Sequence, residues 1–203
     1  MAADLERLSK QFAASGNADI ALGVSAWAPF ARARGLETFS TTTAIPEWAI
    51  RLPDLTIGGK TPKQLEKALD SGGFKVGDWA RDIIRSKDFT TLPDQQTLSL
   101  VRAKVSDLGF KDPATYSEVC QKAEEFGLEK CLPETAVHYR LAYKDQPMNE
   151  WLTVAMEPIS DSNGHPSVFE LYRPGDGLWL RGYWVYPASQ WSPEAEFVFT
   201  LRK

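Results

Sequence analysis

The C-terminal part of this chain alternates. Apolar and polar side chains trade places in WLTVAME at 151–157, SVFELY at 167–172, LWLRGYWVY at 178–186 and EFVFTL at 196–201. A period of two is the mark of a strand with one face against a core. The joints between these runs, SDSNGHP and PGDG, supply the Pro, Gly, Asn and Asp that turns need. YRLAY at 139–143, followed by KDQPMNE, reads as one more strand of the same kind. The pattern predicts an antiparallel β-meander of four to five strands.

PGDG between Arg173 and Leu178 sets a register. A four-residue connection pairs Tyr172 with Trp179, Leu171 with Leu180, Glu170 with Arg181, Phe169 with Gly182 and Val168 with Tyr183. Opposite charges meet, leucines meet, and an aromatic ring covers a glycine, as cross-strand pairing favours. A slip of one residue would turn every side chain to the wrong face.

The register sorts the residues. One face carries Leu141, Leu152, Val154, Met156, Phe169, Leu171, Leu178, Leu180, Phe197, Phe199 and Leu201, and is expected to pack on a helix at 116–126. The other carries Trp151, Glu170, Tyr172, Trp179, Arg181 and Tyr183. Rings interleaved with a carboxylate and a guanidinium suit a surface that binds an unknown protein or small-molecule ligand. The bland alternative is a second core, with N-terminal helices covering these aromatics.

Upstream the period changes. In KTPKQLEKALDSGG, Thr61 caps, Pro62 fits the first turn, and Gln64 completes a capping box. DWARDIIRS follows and closes a helical hairpin over 61–86. Residues 3–15 and 20–34 read as further helix. LPDQQ at 92–96 marks a junction, so 1–94 forms a helical N-terminal region and 95–203 an α+β domain. That domain opens with a strand at 97–105 and a helix begun by a second capping box, Thr115 with Glu118. The fold class is α+β: a helical region, a strand–helix unit, then the meander.

Other chemistry is thinly represented. IGGKT at 57–61 lacks the first glycine of a phosphate-binding loop, since Asp54 stands there. Cys120, Cys131, His138 and His165 match no zinc spacing, so no metal is expected, and no cofactor motif is present. The net charge of -4 is spread along the chain, which makes nucleic acid an improbable partner. The second helix of the 61–86 hairpin is nearly neutral, a poor recognition helix for a DNA-associated regulator. No run is apolar enough to span a membrane, the N-terminus lacks a signal-peptide core, and two cysteines make no disulfide framework; a cytoplasmic protein is the expectation. The catalytic candidates are Glu157, Asp161 and His165, grouped near one strand end, where they could serve a small hydrolase or transferase by acid–base chemistry.

KTPKQLEKALDSGGFKVGDWARDII, FKDPATYSEVCQKAEEFGLEKCLPE, LAYKDQPMNEWLTVAMEPISDSNGHPSVF and WLRGYWVYP carry a likeness. From about Gly58 to Lys203 the chain resembles a group of bacterial proteins usually labelled hypothetical. The resemblance implies a bacterial origin and brings no activity, cofactor or catalytic residue. The leading expectation is a non-catalytic binding or interaction module that uses the aromatic-charged sheet face.

Overall fold

The computed structural model describes residues 46–202. The helices expected over 3–15 and 20–34 lie outside them. The described elements begin with β1 (Ile50–Arg51) and β2 (Leu55–Ile57), then α1 (Pro62–Ser71), β3 (Lys75–Val76) and α2 (Asp78–Arg85). β4 (Gln96–Leu98), β5 (Leu100–Lys104), a 3-10 turn at Ser106–Leu108, β6 (Ala114–Thr115), α3 (Tyr116–Glu125), β7 (Leu128–Glu129) and α4 (Pro133–Ala142) follow. β8 (Trp151–Val154), β9 (Ile159–Ser160), β10 (Pro166–Tyr172), β11 (Trp179–Trp184), β12 (Gln190–Trp191) and β13 (Glu196–Leu201) complete the fold. The class is mixed α+β, with four helices and one large sheet among the described residues.

Both capping boxes form. Thr61 and Thr115 each accept from the backbone of the residue three on, and the side chains of Gln64 and Glu118 reach back to the cap amides. Each cap satisfies donors that a helix start leaves unpaired.

The β10–β11 hairpin has the register read from PGDG, from Val168↔Tyr183 to Tyr172↔Trp179. β8 joins β10 antiparallel, with Leu152 opposite Leu171 and Thr153 opposite Glu170. The simple meander ends there. The sheet runs β1-β5-β13-β8-β10-β11-β3, with β7 added on β13 and β9 on β10. β13 lies parallel to β8 and antiparallel to β5, and β3 lies parallel to β11. β13 takes the interior position because Phe197, Val198 and Phe199 are successive apolar residues, all fully buried. Successive residues face opposite sides, so this strand needs cover on both.

That placement corrects the face assignment. Phe197 stands opposite Thr153, so it shares a side with Glu170 and Arg181 rather than with Leu152 and Leu171. Phe199 follows it, and α3 covers this end, with the Tyr116 ring 6.2 Å from Phe197. The Tyr116 hydroxyl donates to the Met156 carbonyl at 2.5 Å and accepts its amide at 2.8 Å.

The second correction concerns 139–143, which is the end of α4 and not a strand. Pro133 starts the helix, and every residue from Glu134 to Arg140 is buried. A helix covered all round has no polar stripe, so its period is invisible. It is α4, with α2, that covers the apolar face over β10 and β11, in place of the helix expected there. Arg140 is wholly buried and ties α4 to its surroundings through the Tyr143 carbonyl and the Gln146 side chain.

α2 crosses β11 at Gly182. A Cβ there would lie 2.9 Å from Trp79 Cβ and 3.1 Å from the Trp79 carbonyl carbon. The glycine that seemed to serve a cross-strand ring makes room for a helix backbone. Gly182→Ala is expected to cost about 1–2 kcal/mol by pushing α2 off the sheet, read as a lower urea midpoint. An unchanged midpoint would contradict this contact.

Candidate functional site

The sheet has an open stretch where α3 stops. Two rows of side chains cross it. Trp151, Tyr172 and Trp179 form one row across β8, β10 and β11, and Thr153, Glu170 and Arg181 form the next. Trp151 and Tyr183 are 41% and 45% exposed, and Tyr172, Trp179 and Arg181 are partly so. No described helix turns these side chains into a second core. Glu170 and its partner Thr153 differ from these, being only 6% and 4% exposed.

The local geometry explains that difference. Trp151 and Tyr172 stack 3.5 Å apart with their planes 17° from parallel. Arg181 rests on the stack, its guanidinium carbon 5.4 Å from the Trp151 ring centre and 5.9 Å from that of Tyr172. On the other side Tyr183 meets Trp191 edge-on at 5.9 Å. Trp191 is held by pairing with Ala114 and by ring contacts to Tyr116 and Phe197. Between these walls lies a groove of about 580 Å³, with Thr153 and Glu170 among its lining residues.

Glu170 accepts a long 3.4 Å hydrogen bond from the Thr153 hydroxyl. Among the described residues no cation lies within ion-pair distance of it. Burial raises its carboxyl pKa to about 7, and the Arg181 charge and the Thr153 hydroxyl pull it back only in part. The other carboxylates near the groove are matched: Arg102 pairs with Glu150 and Glu196, and Lys104 with Glu194.

The six aromatic and charged residues singled out in the sequence thus share one face but divide between cavities. Trp151, Glu170 and Tyr183 line the groove just described. Tyr172, Trp179 and Arg181 line a neighbouring cavity of about 630 Å³ with Trp79 and Asp176. The Trp151–Tyr172 stack is the ridge between them. A third cavity of about 310 Å³ lies by Trp79, Trp184 and Tyr186. In the second cavity Asp176 is engaged, accepting from Lys75 at 2.7 Å and from the Trp179 indole at 2.9 Å.

Glu157, Asp161 and His165 have different surroundings. Glu157 reaches solvent and pairs with Lys130 at 2.5 Å. Asp161 lies 3.3 Å from His165 Nδ1. Burial acts to raise the Asp161 pKa, but hydrogen bonds from the His165 amide, the Trp184 indole and the Asn163 amide outweigh it and lower it. These bonds close the 161–165 turn and tie it to β11.

In the hairpin the arginines are engaged by its own acids. Arg81 holds Glu66 and Asp70 at 2.9 and 2.8 Å, and Arg85 holds Glu66 at 2.6 Å. Cys120 and Cys131 are buried thiols, pushed up by burial to about 11 and about 12. Among the described residues no three His, Cys, Asp or Glu side chains gather where they could hold a metal ion. No described helix is long and apolar enough to cross a membrane.

Trp191, as a wall of the groove, escaped the sequence reading. Trp191 follows a proline-containing loop and pairs with β6, a contact that no local period announces. No protein-family model, curated protein or solved structure matches the chain.

Proposed function

We propose that this protein is a binding module whose ligand site is the groove between Trp151 and the Tyr183–Trp191 pair, with Glu170 as its orienting group. The observation that carries this reading is the carboxyl of Glu170. A carboxylate taken out of water without a cation or strong donors is costly. On an exposed sheet face, that cost can be met by a ligand that supplies the missing partner. Flat aromatic walls around a convergent polar group are what small-molecule sites commonly use. The neighbouring cavity is as large, but its carboxylates, Asp78 and Asp176, are exposed to water, and Asp176 is already held by Lys75 and the Trp179 indole.

The test is a thermal-shift screen with a panel of cationic, anionic, neutral aromatic and short peptide compounds. Compounds that raise the melting temperature of the wild-type protein are expected to lose that effect in Trp151→Ala and to keep it in Trp79→Ala. Trp151 is partly exposed but stacks on Tyr172, so its removal is expected to lower the unliganded melting temperature, and each compound's shift is read against the variant's own unliganded value. Hits that survive Trp151→Ala and fail in Trp79→Ala would move the site to the other cavity and refute this reading.

A further inference from the structure

The groove has three aromatic side chains around a carboxyl that lacks a cation. The sheet also shows what its aromatics do with a positive charge, because Arg181 lies over Trp151 and Tyr172 instead of pairing with Glu170. We propose that the groove binds an organic cation, an ammonium or guanidinium group on an apolar body, with the charge at Glu170 and the body between Trp151 and Tyr183. This rests on the groove being the ligand site and adds the chemistry of what enters it.

The argument is one of complementarity. A cation near ring faces gains from their quadrupoles, and more when water is excluded. A charge-assisted bond to a carboxylate adds direction and strength. An anion would meet Glu170 and Glu194 on its way in. A neutral body would gain only the contact with the rings. The competing charges are already placed. Arg181 rests against the Trp151–Tyr172 stack, Arg102 is shared by Glu150 and Glu196, and Lys104 holds Glu194. From β8 the carboxyl faces Thr153, from β11 Arg181 and Tyr183, and from the β12 side Trp191. Arg181 is the only one of these with a charge, and it leaves the second Glu170 oxygen without a hydrogen bond among the described residues.

The pH dependence follows from the same geometry. A cation prefers the ionised carboxyl, and the carboxyl is half ionised near pH 7. Affinity therefore rises through neutrality, whereas a ligand that accepts a proton from Glu170 would weaken over the same range.

The experiment is calorimetric titration of the full chain with 2-phenylethylamine, 2-phenylethanol and phenylacetate at pH 6 and pH 8. The amine is expected to bind roughly tenfold more tightly at pH 8 than at pH 6, following the ionised fraction of a group titrating near 7. At pH 8, Glu170→Gln is expected to weaken the amine by about tenfold or more, as loss of a charge-assisted bond does. The alcohol and phenylacetate are expected to bind at least about tenfold more weakly than the amine, lacking that bond. If either binds as well as the amine and is lost in Trp151→Ala, the groove is a ligand site but not one for cations. If the amine binds with no dependence on pH or on Glu170, the assignment of its charge is overturned. If none of the three binds at millimolar concentration, the cation proposal and the choice of this groove fall together.

Discussion

Gly58→Ala is expected to lower the folding stability by about 3 kcal/mol or more, the range of strained or overpacked sites. Two penalties combine. Gly58 has φ +85°, a conformation that costs an alanine roughly 1–2 kcal/mol. The added methyl would also overlap the Asp94 carbonyl oxygen and lie 3.0 Å from its carbon and 3.2 Å from Leu92 Cβ. Neither neighbour can easily move. The Leu92 amide is bonded to the buried Glu134 carboxyl at 2.8 Å, and the Leu92 carbonyl takes the Gly59 amide at 2.9 Å. Gly73 is the control, with φ +73° but nothing within 4 Å of an added methyl. Gly73→Ala should show the conformational penalty alone, about 1 kcal/mol. Urea unfolding of both variants checks this. Equal losses would mean that the 58–59 turn does not sit against Asp94 as described.

Glu170→Gln is expected to leave stability nearly unchanged at pH 4 and to raise it at pH 8. A carboxyl whose pKa is higher folded than unfolded binds more protons in the folded state. Its contribution is complete below roughly pH 4.3, the unfolded value, and is lost as pH rises through the folded value. With a folded pKa of about 7, the loss falls between those limits and levels off above them. The difference corresponds to on the order of 3–4 kcal/mol. Glutamine keeps the shape and cannot ionise, so the variant escapes this loss. Stability curves of wild type and variant should converge near pH 4, part between about pH 4.3 and pH 7, and run parallel above. Parallel curves from pH 5 to 8 would mean that the carboxyl is not isolated from water and cations.

A group kept at such a cost on an open face links this stability effect to the proposed site. Protein stability would be given up in the free state and recovered when a partner for the carboxyl arrives.

How much of this was legible in the sequence depended on whether the signal was local. The β10–β11 register is local, set by a four-residue turn and checked by charge and leucine pairs, and it holds along the whole hairpin. The two members of each capping box lie three residues apart in sequence, and both boxes form. The position of β13 is not local. Its alternation fits a meander, and only the unbroken apolar run Phe197–Val198–Phe199 hints at burial on both sides. α4 was hidden for the opposite reason, since burial on every side erased its period.

The site divides in the same way. The hairpin register put Glu170, Arg181, Tyr172, Trp179 and Tyr183 on one face, and Trp151 joined them from β8. What the sequence could not supply was depth. Glu170 sits deep because Trp151, Tyr183 and Trp191 wall its groove, and Trp191 arrives from a distant part of the chain. The two larger cavities are separate because the Trp151–Tyr172 stack stands between them as a ridge, which depends on rotamers and not on spacing.

The seven tryptophans offer the most direct measurement. Their indole N–H signals, assigned in a two-dimensional nitrogen–proton spectrum, report on each cavity separately. During titration with 2-phenylethylamine at pH 8, the Trp151 and Trp191 signals are predicted to move together, while those of Trp79 and Trp184 stay in place. Movement confined to Trp79, Trp179 or Trp184 would place binding outside the Glu170 groove and contradict the account.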